Sequence, residues 1–384
     1  MTTLPIPSDD AIETSQRLIS RIKAEIELGG GWIPFSRYME LALYTPTMGY
    51  YSAGSRKFGP SGDFVTAPEL TPLFAATLAR QIAEILPHTA GDILEFGAGT
   101  GRLACDILLA LKEQGQLPRR YCILEVSGDL ADRQKALLAQ YAPDLLPRIS
   151  WLTALPAQFD GVMIGNEVLD AIPCETVRWD DTLKPWMRGV MWTGEGFDWV
   201  DRPISAMQIL RASGRIEPGP DYISEINLAA EAFIQSAANS LSRGALILLD
   251  YGFPRDEYYH PQRKRGTLMC HYRHHSHDDP FLWPGLQDIT AHVDFTAMAE
   301  AGLEAGLDLI GYTTQAQFLL NCGITDELAK LDPEQVETYL PASAAVQKLV
   351  STAEMGDLFK VIAFGRNVPI EWQGFVHGDR CCTL

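Results

Sequence analysis

The stretch from Asp92 to Ala104 constrains the fold of this chain more than any other. A short apolar run predicts a buried strand, and glycines at positions 97, 99 and 101 predict a tight turn after it. The apolar spacing from Arg102 to Lys112 then indicates a helix. A strand, a glycine turn and a helix in this order predict a nucleotide-type binding cradle in an α/β fold.

The residues around the glycines narrow the kind of ligand. A dinucleotide-binding turn needs its third glycine at position 102, where this chain has Arg102, so pyrophosphate is disfavoured. Glu95 opens the motif, and its carboxylate would repel a phosphate and attract a cation. We therefore expect S-adenosylmethionine, which carries sulfonium and ammonium charges. A tight turn that binds no ligand is the alternative.

Charge and cysteine content limit the partners. The formal net charge of −18 disfavours nucleic acid and anionic membrane surfaces, which would repel the chain, and favours basic partners. The seven cysteines include no Cys-x-x-Cys pair, so we expect reduced thiols and neither a disulfide framework nor a zinc site. The first 20 residues do not resemble a signal peptide, and no apolar run has the length of a membrane span. We expect a cytoplasmic protein without membrane insertion.

Strands and helices alternate after the glycine turn, which is typical of a doubly wound α/β domain. Further strands are predicted at 121–125, 148–152, 159–165, 245–252, 307–312 and 359–364, and helices at 11–28, 129–141, 223–241 and within 315–350. Alternating aromatic and polar residues at 174–203 predict a β-hairpin, and the Arg- and His-rich segment 253–288 predicts a solvated loop and no metal site. We expect residues 381–384 to form a frayed tail.

Acidic and amide side chains follow two of these strands. Glu125 ends the strand after the glycine turn, where a carboxylate would hold a ribose diol. Asn166 and Glu167 end a later strand, with Asp170 close behind, and ligands of α/β folds bind at such strand ends. A helix cap or a solvated carboxylate is the alternative for Glu125, a helix cap for Asn166, and solvent exposure for Asp170.

Six motifs occur in a specific order: Gly62–Glu69, Leu94–Gly101, Leu124–Ser127, Asn166–Pro173, Leu249–Gly252 and Thr290–Phe295. In this order they resemble the MidA family of class I S-adenosylmethionine-dependent methyltransferases. The mitochondrial members of that family are complex I assembly factors that methylate an arginine of a complex I subunit. The resemblance covers roughly residues 15–365. It implies a Rossmann-like, seven-stranded, mostly parallel sheet with helices on both faces.

The resemblance also suggests a division of the chain. A helical cap with a lid loop would occupy residues 1–88, the cofactor-binding core residues 89–365, and a tail residues 366–384. Insertions into the core would lie at about 174–221, 253–290 and 315–350. Cys174 and Glu175 depart from the more apolar or basic continuation expected after Pro173, so the construction of that edge of the substrate site is open.

The resemblance implies roles for individual residues. The cofactor would be held by the glycines 97, 99 and 101, by Glu125 on the ribose, by Thr66 and Glu69 from the cap, and by Asn166 near the methyl group. Glu95 is added to this set because of its charge and not because of the resemblance. Glu167 would lie beside the transferred methyl group, with His292 and Asp294 nearby.

The expected reaction transfers a methyl group to a guanidine nitrogen of a protein arginine, on a complex I subunit. Glu167, with Asp170 or Asp294, would hold the guanidinium, and His292 would take the released proton. A small-molecule methyltransferase and a cofactor-binding assembly chaperone without turnover stay open. A homodimer is expected by analogy alone.

Overall fold

The computed structural model of the protein describes residues 4–52 and 66–384. The described residues form two compact units. One contains residues 4–52, 169–232 and 255–293, and the other contains residues 66–168, 233–254 and 294–384.

The helices are α1 (Asp9–Leu28), α2 (Phe35–Tyr44), α3 (Ala67–Leu70), α4 (Pro72–Ile85), α5 (Arg102–Glu113), α6 (Gly128–Tyr141), α7 (Met207–Ser213), α8 (Leu228–Ser240), α9 (Arg255–Tyr258), α10 (Phe295–Glu304), α11 (Gln315–Asn321), α12 (Ile324–Ala329), α13 (Val336–Val350) and α14 (Met355–Leu358). In the described part of the chain, none of them is long and apolar enough to cross a membrane.

The strands are β1 (Ile33–Pro34), β2 (Asp92–Phe96), β3 (Arg120–Leu124), β4 (Ile149–Leu152), β5 (Phe159–Asn166), β6 (Glu175–Trp179), β7 (Pro185–Trp192), β8 (Phe197–Pro203), β9 (Tyr222–Ile226), β10 (Leu241–Phe253), β11 (Met269–Tyr272), β12 (His275–His277), β13 (Asp288–Thr290), β14 (Val293–Asp294), β15 (Asp308–Thr314) and β16 (Phe359–Arg366).

The larger sheet has the order β15-β16-β10-β5-β2-β3-β4. The strands from β4 to β10 run parallel, and β16 runs antiparallel to both of its neighbours. Every residue of β2 is buried, as expected for a parallel strand covered on both faces. The predicted α/β fold and its path of seven strands are confirmed, and β14 adds an eighth strand by pairing with β10.

The position of β5 creates the ligand-binding edge of this sheet. The chain passes from β2 to β3 and β4 on one side and then returns to β5 on the other side of β2. Ligands of open α/β sheets bind beyond the carboxyl ends of the strands, where the strand order reverses in this way. The glycine turn follows β2, and Asn166 is the last residue of β5, so both lie at this edge.

The helix before the glycine turn packs with the helices of the sheet. α4 contacts α5, and α11, α12 and α13 also contact α4. Residues 66–88 belong to the same compact unit as the sheet, and the division at residue 88 stays a prediction. The helical nature of residues 315–350 is confirmed by α11, α12 and α13.

The carboxyl terminus is more ordered than the predicted frayed tail. Trp372 and Phe375 are buried in the same hydrophobic core as α4 and α5. The Arg380 backbone N–H donates to the Tyr312 carbonyl at 2.6 Å, and Cys381–Thr383 form a 3₁₀ turn. The frayed-tail prediction is wrong because aromatic residues upstream anchor the segment.

The other unit contains a second, antiparallel sheet. Its strand order is β1-β7-β6-β9, with β8 paired to β7. The predicted hairpin at 174–203 is therefore part of a larger sheet. The predicted helix at 223–241 is also wrong over its first residues, because Tyr222–Ile226 pair with β6 and are buried throughout. Sheet pairing outweighs the local helical spacing there.

The predicted solvated loop at 253–288 is wrong in part. Residues 269–272 form β11, which pairs with β12 and β13 in a small antiparallel sheet. Cys270, Tyr272 and Ile289 are buried, so this segment has apolar positions that anchor it. His271 lies on β11, His275 and His277 lie on β12, and His274 lies in the turn between these strands.

Candidate functional site

The glycine turn between β2 and α5 has a backbone that side chains tolerate poorly. Gly97, Gly99 and Gly101 have φ angles of 62°, 51° and 86°, in the left-handed region. A Cβ at Gly97 would lie 3.2 Å from the Val168 side chain, and a Cβ at Gly101 would lie 3.2 Å from Gln134. Backbone conformation and crowding therefore both favour glycine in this turn, which lies at the amino end of α5.

We expect Gly101→Ala to lower the free energy of unfolding by about 2 to 4 kcal/mol. The left-handed backbone costs alanine about 1 kcal/mol, and the contact with Gln134 adds the cost of overpacking. Gly115→Ala is the matched control, because Gly115 has a φ angle of 69° but a Cβ added there would have no neighbouring atom within 4 Å. Urea unfolding measures both variants. Equal losses for the two would contradict the proposed crowding at Gly101.

Glu125 directly follows β3, one residue beyond the strand that was predicted to end with it. Its Oε1 accepts the Ser127 backbone N–H at 2.8 Å, and its Oε2 accepts Nε2 of Gln134 at 3.1 Å. Burial raises the pKa of Glu125, and the hydrogen bonds from Ser127 and Gln134 act in the opposite direction. Each oxygen accepts one of these bonds and can accept another, which suits a pair of ribose hydroxyls.

Glu69 reaches the glycine turn from α3. Its Oε1 accepts the Thr100 hydroxyl at 2.5 Å, and Thr100 Oγ1 accepts the Arg102 backbone N–H at 3.2 Å. Thr66 immediately precedes α3, and its carbonyl accepts the Glu69 N–H at 3.0 Å. The remainder of the predicted lid, residues 62–65, lies outside the described residues.

Asn166 and Glu167 form a hydrogen-bonded pair at the end of β5. Asn166 Nδ2 donates to Glu167 Oε1 at 3.0 Å, and the Glu167 backbone N–H donates to the Leu249 carbonyl at 2.8 Å. Glu167 has a φ angle of 53°, which is in the left-handed region. Residues other than glycine that have such a strained backbone occur preferentially at functional sites. Asn166 Oδ1 is buried and has no hydrogen-bond partner among the residues that the structure describes.

Asp250 supports this strand end and was not among the predicted site residues. It is fully buried at the polar tip of β10, and its Oδ2 accepts the Val168 backbone N–H at 3.1 Å. Its Oδ1 accepts the Tyr251 N–H at 2.9 Å. The acid at the end of a buried strand was the available sequence signal. Asp250 thus holds the backbone that follows Glu167.

Glu95 lies inside the sheet, where it is 1% exposed. Its Oε2 accepts the Tyr121 hydroxyl at 2.7 Å. Burial raises the pKa of Glu95 to about 7, although the Tyr121 hydrogen bond opposes this shift. A contact between Glu95 and a cationic ligand stays a prediction.

Asp294, Asp170 and His292 were also predicted, and each has its own hydrogen-bond partners. Asp294 Oδ1 accepts the Ala297 N–H at 3.1 Å and caps α10. Asp170 and His292 belong to the unit with the antiparallel sheets. There the Asp170 carbonyl accepts the Ala291 N–H at 3.0 Å, and the His292 N–H donates to Thr267 Oγ1 at 3.0 Å. Their catalytic roles stay predictions.

A buried carboxylate that the sequence did not indicate supports the segment near His292. Glu225 accepts the Thr267 hydroxyl and backbone N–H, both at 2.9 Å, and the Tyr258 hydroxyl at 3.2 Å. Burial raises the pKa of Glu225, while the hydrogen bonds from Thr267 oppose the shift. Glu225 on β9 therefore fixes Thr267, which in turn accepts the His292 N–H.

These features fit S-adenosylmethionine. The glycine turn excludes Cβ atoms, Glu125 can still accept hydroxyl donors, and the buried Oδ1 of Asn166 can accept a hydrogen bond. Within residues 4–52 and 66–384, no group of three or more His, Cys, Asp or Glu side chains is arranged to hold a metal ion.

Solved structures of similar proteins also indicate a site for S-adenosylmethionine or its product. The protein is similar over its whole length to a protein of Burkholderia thailandensis whose crystal structure contains S-adenosyl-homocysteine. The two are 52% identical, each is fully covered, and the TM-score is 0.96. A native crystal structure of a protein from the same organism matches at 50% identity, full coverage of both chains and a TM-score of 0.93.

More distant relatives have names that state an activity. The protein arginine methyltransferase NDUFAF7 of Xenopus tropicalis is 28% identical over 385 residues, with 89% of this chain and 83% of the relative covered. The NDUFAF7 homolog of Caenorhabditis elegans, also called a protein arginine methyltransferase, is 26% identical over 334 residues, with 78% and 75% covered.

The family assignment follows from a direct match. The model of the family described as "Putative S-adenosyl-L-methionine-dependent methyltransferase" matches residues 77–313, more than half of the chain. The predicted resemblance to MidA and the predicted cofactor are confirmed. The chain therefore belongs to this family of S-adenosyl-L-methionine-dependent methyltransferases.

Proposed function

We propose that this protein binds S-adenosylmethionine and methylates a guanidine nitrogen of a protein arginine. The observation that carries this proposal is the Asn166–Glu167 pair at the carboxyl end of β5. It offers a carboxylate and a buried amide oxygen, both of which accept hydrogen bonds. Such acceptors suit a cationic group rich in N–H donors.

The proposed chemistry begins with the charge of the substrate. A guanidinium is protonated at neutral pH and is a poor nucleophile, so its charge has to be held away from the attacking nitrogen. Glu167 would do this by accepting hydrogen bonds from two of the guanidinium N–H groups. Bound S-adenosylmethionine supplies a methyl group activated by its sulfonium.

Other residues of the chain would position and deprotonate the substrate. Asn166 Nδ2 orients the Glu167 carboxylate through the bond at 3.0 Å. His292 would accept the released proton, and its backbone is held by Thr267. Most of the rate acceleration would come from positioning and exclusion of water, because the cofactor already carries the activated group.

The names of the distant relatives support arginine as the acceptor. The MidA resemblance further suggests a subunit of respiratory complex I as the protein substrate. A small hydroxy or carboxy acid is a weaker candidate, because its carboxylate would meet the acidic Glu167. The cytoplasmic location, the absence of nucleic-acid partners and a homodimer remain parts of the proposal.

Radiolabelled methyl transfer tests this function. Purified protein, tritium-labelled S-adenosylmethionine and a recombinant complex I subunit are incubated, and the product is hydrolysed and analysed by mass spectrometry. We expect label in methylarginine of the subunit. Base-labile label, which marks a carboxyl ester, or label only in small molecules would contradict arginine specificity. Binding of the subunit without label, while the cofactor binds, would indicate a chaperone.

A further inference from the structure

The sequence pattern of α6 contains one polar residue on its buried face. Ala131 and Leu138 are buried, and Gln134 between them is 0% exposed. A glutamine on an apolar stripe must satisfy its amide by hydrogen bonds, since an unpaired buried amide is costly. Gln134 was absent from the predicted site residues, and only its position on this stripe could have indicated it.

The Gln134 amide makes three hydrogen bonds. Its Nε2 donates to the Gly99 carbonyl at 3.0 Å and to Glu125 Oε2 at 3.1 Å. Its Oε1 accepts the indole N–H of Trp151 at 2.9 Å. Because the indole N–H can only donate and Glu125 and Gly99 supply acceptors, these partners define which end of the amide is nitrogen.

The absence of a side chain at Gly101 allows this arrangement. A Cβ there would lie 3.2 Å from the Cα, Cβ and Cγ of Gln134, so α6 packs directly onto the glycine turn. The bond to the Gly99 carbonyl also orients the peptide that follows. In a trans peptide the C=O and the next N–H point in opposite directions, so the Thr100 N–H is directed away from Gln134.

We propose that Gln134 is a positioning residue of the cofactor site. Its amide would hold Glu125, the proposed ribose ligand, at a fixed position relative to the glycine turn. A single amide links both parts, which are otherwise separated by more than 20 residues of sequence. Ser127 holds one oxygen of Glu125, and Gln134 holds the other. The proposal rests on cofactor binding and is independent of the methyl acceptor.

The test is binding of S-adenosyl-homocysteine and its 2′-deoxy analogue by calorimetry. We expect Gln134→Leu to weaken S-adenosyl-homocysteine binding about 10- to 100-fold, as for loss of a hydrogen bond to a charged group. For the analogue, the fold-loss of affinity caused by Gln134→Leu should be at least about threefold smaller. The analogue lacks one of the hydroxyls from which Glu125 would accept a hydrogen bond. Equal losses for both ligands, or a loss below about twofold, would overturn the proposal.

Two further variants separate positioning from general destabilisation. Gln81→Leu is the matched control, since Gln81 is also 0% exposed and also bonded through both ends of its amide, to Glu84 and Gly374. It should lower the stability of the protein and leave the affinity for S-adenosyl-homocysteine within about twofold.

Trp151→Phe removes the donor that orients the Gln134 amide and should weaken S-adenosyl-homocysteine binding several-fold. Unchanged affinity in Trp151→Phe would count against the proposal even if Gln134→Leu failed to fold. Absence of binding in the wild type would instead reject the cofactor assignment.

Discussion

Glu167→Gln is expected to lower the rate of methyl transfer about 100- to 1000-fold. This corresponds to a loss of about 3 to 4 kcal/mol of transition-state stabilisation, a typical cost for removing one preorganised electrostatic group. The amide keeps the shape of the side chain, and its oxygen can still accept the bond from Asn166 Nδ2. The change therefore removes mainly the charge that would hold the guanidinium.

The measurement is single-turnover methyl transfer, with the affinity for S-adenosyl-homocysteine determined in parallel. We expect this affinity to change less than about threefold, so that the loss lies in the chemical step. Glu113→Gln is a matched control with the same change in charge. Glu113 is exposed and ends α5, about 17 Å from Arg102, the residue of α5 that follows the glycine turn. A fully active Glu167→Gln variant would exclude Glu167 as the group that holds the guanidinium.

Glu95→Gln is expected to make the protein more stable at alkaline pH. The folded-state pKa of Glu95 is about 7, above its ordinary value of 4.5, because burial disfavours the charged carboxylate. Because this pKa is raised in the folded state, the protonated Glu95 stabilises the fold fully below pH 4.5. That stabilisation is lost as the pH rises through 7. At pH 8.5 the wild type would have lost about 3 kcal/mol in this way, whereas the glutamine side chain of the variant cannot ionise.

Denaturant unfolding of both proteins at pH 4.5 and pH 8.5 measures this effect. The stability difference between variant and wild type should shift in favour of the variant by about 1 to 3 kcal/mol over that interval. Other buried carboxylates, such as Glu225, titrate in both proteins and cancel in the comparison. A difference that does not change with pH would show that Glu95 does not ionise in this range.

Saturating S-adenosyl-homocysteine extends the same measurement. If Glu95 faces the ammonium group of the ligand, as the sequence predicted, the bound cation lowers the pKa of Glu95. The pH-dependent advantage of Glu95→Gln would then shrink in the presence of the ligand. An unchanged advantage would restrict Glu95 to its contact with Tyr121.

Much of the sheet could be predicted because its signals are local. Buried parallel strands have continuous apolar runs, and the runs before Gly97 and Asn166 form β2 and β5 as expected. The sequence pattern predicts a helix that begins at residue 223, since the apolar positions of residues 223–226 also fit helical spacing. Residues 222–226 instead form β9, because β6 is available to pair with them and no local pattern encodes that partner.

The glycine turn, the acid after β3 and the Asn-Glu pair at the end of β5 could be read from the sequence, because each depends on residues adjacent in the chain. The side chains that hold these parts in place could be identified only from the folded chain. Gln134 reaches Gly99 across 35 residues, and Asp250 reaches Val168 across 82 residues. Such hydrogen bonds exist only after α6 and β10 have packed beside the strand ends, and burial then makes each partner necessary.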